Sequence, residues 1–135
     1  MISASVLKDS FPEINPGVKP LGGRVLVQLR TTRSRTSGGL ILASETREFN
    51  NQISQMARVV ALGPLAYRGK TDGKPWPEGT WADVGDYVRV PKFGGDRFER
   101  TIPGKDDKAI FAIYLDHEIV SKVDPEAFED LDEIK

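Results

Sequence analysis

Six short segments of the chain have the residue pattern typical of β-strands. In residues 23–30, branched apolar side chains occupy every second position, so that one face of a strand would consist of Val25, Val27 and Leu29. The opposite face would carry Arg24, Leu26 and Gln28. The other five segments are residues 57–63, 86–91, 97–102, 109–115 and 119–123. Glycine and proline separate the segments and no helical period lies between them, so the pattern predicts an all-β fold, a small barrel or sandwich.

The two ends of the chain fall outside this strand pattern. Residues 1–17 contain proline and glycine without a sustained period, and we interpret them as an N-terminal extension before the core. Residues 124–135 form an acidic C-terminal extension, in which Asp124 would cap a helix and Pro125 would begin it. Apolar residues recur there at helical spacing, namely Ala127, Phe128, Leu131 and Ile134. A short surface helix, a frayed tail and a partner-binding tail all agree with this composition.

Residues 31–56 interrupt the strand pattern with a long polar segment rich in Ser, Thr, Asn, Gln and Arg. Loops longer than about 12–15 residues without secondary structure are uncommon in compact domains, and they are usually functional or disordered. In the middle of this segment, Gly38 and Gly39 precede the aliphatic triplet Leu40, Ile41 and Leu42. An exposed triplet of this kind favours aggregation unless something covers it. It therefore either packs on the protein's own barrel as a short strand or binds a partner.

The composition excludes several classes of function. The formal net charge is −1, so no excess of positive charge attracts nucleic acid or an anionic membrane. The chain has no cysteine, which excludes disulfides, zinc–thiolate sites and thiol catalysis. Residues 1–20 lack the apolar run of a signal peptide, and nothing approaches the ~18 apolar residues that suggest a membrane span. These features predict a cytoplasmic protein.

Two sequence features imitate sites for small-molecule chemistry. Residues 63–71 (GPLAYRGKT) miss the phosphate-binding P-loop pattern by one residue between the glycines, and no helix pattern follows them. His117 lies between Asp116 and Glu118, but adjacent strand residues point to opposite faces and no further ligands lie nearby in the sequence. We therefore interpret the first as a turn-rich hairpin and the second as a surface corner. The chain is predicted to have no cofactor, no metal site and no enzymatic activity.

The order of the sequence motifs resembles that of the small co-chaperonin family, of which bacterial GroES is the familiar member. The resemblance covers residues 18–123 and rests on five short sequences in the family's order: KPL at 19–21, RVLV at 24–27, SGGLIL at 37–42, RVVALG at 58–63 and VGDYV at 84–88. By this resemblance, residues 18–123 form a GroES-like β-barrel domain. Residues 31–56 would be its mobile loop and residues 64–83 its roof hairpin.

The resemblance implies a homo-oligomeric lid, a heptamer, that caps a GroEL-type chaperonin ring and encloses an unfolded substrate protein. The chaperonin-binding residues would be Gly38, Gly39, Leu40, Ile41 and Leu42. The first and last segments of neighbouring subunits would pair around the ring through Val18, Lys19, Pro20, Leu21, Ile119, Val120 and Val123. ATP would be bound by the partner chaperonin. The GroES-like fold also occurs in zinc alcohol dehydrogenases, but the cysteine ligands and the dinucleotide domain of those enzymes are missing here.

The chain departs from the family pattern in its two terminal extensions, in a longer stretch at residues 43–56, and in its roof. The roof segment contains Tyr67, Trp76 and Trp81, where the resemblance leads us to expect a compact polar hairpin. The two tryptophans either line the interior of the dome or form the structural core of the hairpin. A bacteriophage-encoded co-chaperonin that serves a bulky capsid protein would suit the longer loop. The alternative from another class is a structural viral or cell-envelope β-barrel whose loop packs on a neighbouring subunit.

Overall fold

The computed structural model describes residues 11–30, 55–104 and 108–127, and this part of the chain is almost entirely β. Its six strands are β1 Arg24–Leu29, β2 Met56–Leu62, β3 Tyr87–Arg89, β4 Asp96–Thr101, β5 Lys108–Leu115 and β6 Ser121–Val123. The two 3₁₀ turns are Asp116–Glu118 and Pro125–Ala127. All six predicted strands are present and the all-β class is confirmed. Residues 128–135, over which the C-terminal helix pattern continues, lie outside the described residues.

The six strands form one antiparallel sheet in the order β4-β5-β1-β2-β3-β6. The central strand β1 is hydrogen-bonded to β2 and β5, and β4 and β6 form the two edges. The β1–β2 pairing is irregular between Leu26 and Val27. An irregularity of this kind increases the local twist of a strand pair, which helps a small sheet to curl around its core.

The alternation along β1 determines which side chains form the main core. Val25, Val27 and Leu29 are fully buried on the predicted inner face. They share this cluster with residues from the neighbouring strands and the turns, including Ala57, Val59, Val88, Val90, Ala112, Tyr114 and Ile119. The inner face of the sheet is therefore the apolar face that the sequence predicts.

On the opposite face of β1, Leu26 and Gln28 are also buried. Leu26 belongs to a second apolar cluster, whose other buried members are Ile102, Ala109 and Phe111. Residues 11–17 lie over this face: Ile14 packs against the second cluster, and Gln28 Nε2 donates a hydrogen bond to the carbonyl of Pro12 at 2.8 Å. From Phe11 onward, the N-terminal extension is therefore packed on the sheet.

The Val-Gly-Asp sequence before β3, residues 84–86, forms a tight turn. The Asp86 N–H donates to the Asp83 carbonyl at 3.0 Å, and the Asp83 N–H donates back to the Asp86 carboxylate at 2.9 Å. Gly85 has a φ of 94°, a conformation that glycine adopts without steric strain. Its N–H donates to the Val59 carbonyl at 2.9 Å, which fixes the turn against β2.

Candidate functional site

The predicted docking triplet, Leu40 to Leu42, and the glycines before it lie outside the described residues. The structure does describe the strand ends that flank residues 31–54. The Arg30 N–H donates to the Met56 carbonyl at 2.8 Å, directly beyond the Leu29–Ala57 pair of β1 and β2. The Val90 N–H donates to the Gln55 carbonyl at 2.9 Å. We call Arg30, Gln55 and Met56 the loop base, because hydrogen bonds to neighbouring strands hold both ends of the segment there.

The side chain of Met56 anchors the loop base in a small apolar cluster. Met56 is 1% exposed and shares this cluster with Phe11 and Val123, while Tyr87 packs against it. The ring centroids of Phe11 and Tyr87 are 5.4 Å apart. The loop base is thus held by the N-terminal extension as well as by β1, β3 and β6.

The residues predicted at a subunit interface divide into an exposed and a buried group. Val18, Leu21 and Val120 expose 43%, 70% and 62% of their surface, and Lys19 is also exposed. The buried group is Pro20, Ile119 and Val123. Since the buried side chains are packed within their own chain, pairing between subunits through these positions would have to use the backbone.

The strand β6 offers such a backbone edge. It pairs on one side with β3, from Tyr87–Val123 to Arg89–Ser121, and its other side has no strand partner in the described part of the chain. The other predicted interface segment, residues 18–21, precedes β1 and is in no strand of the sheet. Two strands, β2 and β3, lie between β1 and β6. An unpaired edge of this kind is a template for a strand from another chain.

The roof segment, residues 64–83, has an aromatic core. Tyr67 is 1% exposed, and its ring centroid lies 5.4 Å from that of Trp76 and 5.7 Å from that of Trp81. The two tryptophan rings meet edge to face at 5.2 Å, and both pack against the main core. An isolated bridge between Arg68 and Pro75 joins the two arms of the segment. These contacts favour a structural core over a lining of the dome as the role of the tryptophans.

Tyr67 adopts a left-handed backbone conformation with a φ of 58°. For a non-glycine residue this conformation costs roughly 1–2 kcal/mol, so the surrounding structure must hold it. The Tyr67 N–H donates to the Asp116 carboxylate at 3.0 Å, and the Tyr67 carbonyl accepts from the Trp76 N–H at 3.1 Å. Burial, with a contribution from the charge of Asp116, raises the pKa of Tyr67 to about 12.

Asp116 joins the roof segment to the end of β5. The sequence pattern predicts a surface corner here, but Asp116 is 1% exposed, and only the neighbouring His117 side chain, 64% exposed, conforms to that prediction. Asp116 accepts hydrogen bonds from the Lys70 ammonium, from the Tyr67 N–H and, at 2.8 Å, from the His117 N–H. Burial alone would raise the pKa of Asp116. The bonds from Lys70, Tyr67 and His117 and the charge of Lys70 outweigh burial, and the pKa lies below its ordinary value of 3.8.

Lys70 occupies the position of the phosphate-binding lysine in the incomplete P-loop pattern, and it is already engaged. Besides Asp116, its ammonium donates to the carbonyls of Leu65 at 2.9 Å and Arg68 at 3.0 Å. The segment is followed by turns rather than by a helix. Among the described residues, no group of three or more His, Cys, Asp or Glu could hold a metal ion, and no helix is long and apolar enough to cross a membrane.

The comparison with known families covers both the sheet and the predicted docking triplet. Residues 17–123 match the family described as Chaperonin 10 Kd subunit, which is most of the chain. The chain belongs to this family. The resemblance to GroES that the motifs indicate is thereby confirmed, together with the GroES-like β-fold.

The relatives of this co-chaperonin include mitochondrial and bacterial proteins. The mitochondrial 10 kDa heat shock protein of Saccharomyces cerevisiae is 37% identical over 106 residues, which cover 78% of this chain and 88% of the relative. Co-chaperonin GroES of Chlamydia trachomatis is 35% identical over 89 residues, 66% of this chain and 78% of the relative. Co-chaperonin GroES of Tetragenococcus halophilus is 36% identical over 78 residues, 58% of this chain and 74% of the relative.

Family membership settles the class of activity. Co-chaperonins of the GroES family are non-enzymatic cofactors of chaperonins, so this protein acts by binding and not by catalysis. Membership also implies partnership with a GroEL-type chaperonin.

Proposed function

We propose that this co-chaperonin assembles into a heptameric ring that closes a GroEL-type chaperonin and encloses an unfolded substrate protein. The docking loop lies within residues 31–56, of which Gln55 and Met56 belong to the loop base. Leu40, Ile41 and Leu42 enter an apolar groove of the chaperonin, and Gly38 and Gly39 form the hinge before them. The observation that carries the proposal is the family match, which spans this triplet and both strands of the loop base.

The loop base supports this role because it gives the docking loop fixed points of departure. Arg30 is hydrogen-bonded to Met56 of β2, Gln55 is hydrogen-bonded to Val90 directly after β3, and the Met56 side chain is buried. Fixed ends limit the volume that the triplet can explore, which raises its effective concentration near a partner that faces the ring.

The energetics of a single loop explain why a ring is needed. Burying three large aliphatic side chains yields roughly 1.5–3 kcal/mol each, whereas fixing each loop residue costs ~1–2 kcal/mol. One loop alone therefore binds weakly. Several loops on one ring make the later contacts effectively intramolecular and raise avidity by ~10²–10⁴. The lid then binds tightly as a ring but can still dissociate. ATP bound by the chaperonin sets the timing of binding and release.

The exposed apolar residues support ring assembly. The chain offers two different surfaces, residues 18–21 with Val18 and Leu21, and the β6 edge with Val120. Joining two different surfaces head to tail produces a closed ring when the rotation closes. Ring closure would cover these apolar side chains and pair the open β6 edge.

A narrower form of the proposal places the lid in the cytoplasm of a bacterium and assigns it to a bacteriophage, whose capsid protein would be the substrate. The longer stretch at residues 43–56 motivates this specialisation. Growth of a co-chaperonin-deficient bacterial host on this chain alone, without any viral substrate, would count against it.

Replacing Ile41 with Asp tests the docking loop. We expect chaperonin binding in the presence of ATP to weaken at least ~100-fold, because a carboxylate does not enter an apolar groove without a large desolvation cost and every loop of the ring carries the change. The barrel and the ring should be unchanged in circular dichroism and native mass spectrometry. Binding is measured by co-sedimentation with the chaperonin, and function by refolding of a denatured substrate.

The matched control places the same charge on Val84, which is 58% exposed in the turn before β3. Val84→Asp should bind and refold substrate like the wild type. If Ile41→Asp also binds and assists refolding at the wild-type level, the assignment of the docking loop is wrong.

A further inference from the structure

Residues 11–17 form a strap that crosses the sheet on its second face. Phe11 and Ile14 belong to two different apolar clusters, Pro12 accepts a hydrogen bond from Gln28, and Gly17 lies near Arg100. Together these surroundings include side chains from all six strands. Phe11 is the most buried large apolar residue of the strap, at 3% exposure. The strap is therefore tied to the sheet along its length.

The first residue of the strap packs directly on the loop base. Phe11 shares an apolar cluster with Met56 and Val123, and its ring lies 5.4 Å from the ring of Tyr87. The carbonyl of Met56 accepts the hydrogen bond from the Arg30 N–H. Phe11 thus covers the side chain of Met56. The backbone of Met56 joins the two ends of the docking loop through its hydrogen bond with Arg30.

A buried amide fixes the middle of the strap. Gln28 is 1% exposed, and its Nε2 donates to the Pro12 carbonyl at 2.8 Å. Its Oε1 accepts a hydrogen bond from Arg58 Nη2 at 3.5 Å. A buried amide group requires hydrogen-bond partners. The hydrogen bond from Gln28 therefore fixes the position of Pro12, which directly follows Phe11.

The far end of the strap lies away from the loop base. Ile14 packs against the second apolar cluster, of which Leu26 and Phe111 are buried members. The guanidinium of Arg100, on the edge strand β4, lies near Gly17. Phe11 and Ile14 are therefore two apolar anchors of one strap, and only Phe11 belongs to the cluster that contains Met56.

We propose that Phe11 is a positioning residue for chaperonin docking, acting through Met56 on the loop base. Without the Phe11 ring, Met56 and Val123 would border a cavity, and the terminal hydrogen bonds of Arg30 and Val90 would open more often. Docking would then carry an additional entropic cost, because the loop base, which the strap holds in place in the wild type, would have to become ordered on binding. This inference rests on the proposed function of the docking loop, and it assigns the N-terminal extension a part in it.

The test compares Phe11→Ala with Ile14→Ala in the full-length protein. In the free protein, amide hydrogen exchange of Arg30 and Val90 should accelerate about tenfold in Phe11→Ala relative to Ala112 in β5, because the opening is local. Ile14→Ala should leave the Arg30-to-Ala112 ratio at its wild-type value, even if it lowers thermal stability equally. Chaperonin binding with ATP should weaken about tenfold in Phe11→Ala only. Phe11→Leu, which keeps most of the apolar contact, should give exchange and binding between the values of the wild type and those of Phe11→Ala. If Phe11→Ala does not fold, Phe11→Leu takes its place in the comparison with Ile14→Ala.

Exchange at Arg30 and Val90 that stays at the wild-type rate in Phe11→Ala would overturn the inference, as would equal acceleration by Ile14→Ala. Unchanged chaperonin binding in Phe11→Ala, alongside accelerated exchange, would also overturn the positioning role. Failure of the proposed function is distinguishable, because it would appear as wild-type binding by Ile41→Asp. The exchange measurements on the free protein do not depend on that result.

Discussion

Asp116 lies at the end of β5 with its carboxylate buried, where it accepts hydrogen bonds from the Tyr67 backbone and the Lys70 ammonium. The two charged partners differ in exposure, since the Lys70 side chain is 48% exposed and that of Asp116 only 1%. Water can solvate the lysine if the carboxylate is removed. Removing the lysine leaves a buried carboxylate that has lost its charged partner and keeps the hydrogen bonds from the Tyr67 and His117 N–H groups, which is the more costly change.

The lowered pKa of Asp116 predicts a contribution to stability that disappears in acid. The folded state binds the proton less readily than the unfolded state, so the contribution is complete above the unfolded pKa, ~4. It is lost as the pH falls below this value through the lower folded pKa. Urea unfolding from pH 7 into this acid range should show a smaller fall in the free energy of unfolding for Asp116→Asn than for the wild type.

Lys70→Met provides the matched variant for this prediction. It keeps the apolar stem and removes the charge, so the pKa of Asp116 in the folded state should rise and the loss of stability in acid should be smaller than in the wild type. At pH 7 we expect this variant to be destabilised by about 1–3 kcal/mol. Equal acid profiles for all three proteins would show that Asp116 does not hold the roof through its charge.

The six strands are predictable from sequence because each depends on a local pattern of alternating or β-branched residues between glycine and proline. The Val-Gly-Asp turn is likewise predictable, since Gly85 adopts a φ of 94° that favours glycine. The predicted inner face of β1 is confirmed in Val25, Val27 and Leu29. Local rules therefore account for the elements and their inner faces.

The structural features that the local sequence patterns do not predict depend on contacts between residues far apart in sequence. The burial of Gln28 requires Pro12, 16 residues earlier, and the burial of Asp116 involves Tyr67, 49 residues earlier. Phe11 lies in a segment without periodicity, so no local pattern identifies it as a residue that packs on the loop base. The docking triplet has a sequence signal of its own, and its assignment to the chaperonin stays a prediction.

The β6 edge leads to a prediction for ring assembly. Val120 is 62% exposed, so Val120→Glu should change the stability of the folded chain by no more than about 0.5 kcal/mol. The new charge would face the neighbouring subunit, and we expect the variant to be mainly monomeric at concentrations where the wild type forms the ring. Native mass spectrometry or sedimentation velocity measures the difference.

Thr101→Glu is the control for the opposite edge, because Thr101 is exposed at the end of β4. It should assemble like the wild type. If Val120→Glu assembles normally, or if Thr101→Glu disrupts assembly equally, the interface between subunits does not use the β6 edge.

In the whole protein, a packed sheet carries a loop that we propose binds outside its own chain. The sheet, the strap and the roof segment are joined by buried contacts, among them Phe11–Met56 and Tyr67–Asp116. This body holds the docking loop at Arg30 and Gln55, and a ring would carry several such loops toward one partner. The central claim is that Leu40, Ile41 and Leu42 are buried by the chaperonin rather than by their own chain.

Limited trypsin digestion of the assembled protein tests this claim most directly, with cleavage after Arg33, Arg35 and Arg47 of the docking loop followed by mass spectrometry. We predict rapid cleavage at these sites in the isolated ring, and protection only when a GroEL-type chaperonin and nucleotide are both present. Protection of the same sites in the isolated protein, unchanged by the chaperonin, would contradict the account and would favour a loop that packs within its own oligomer.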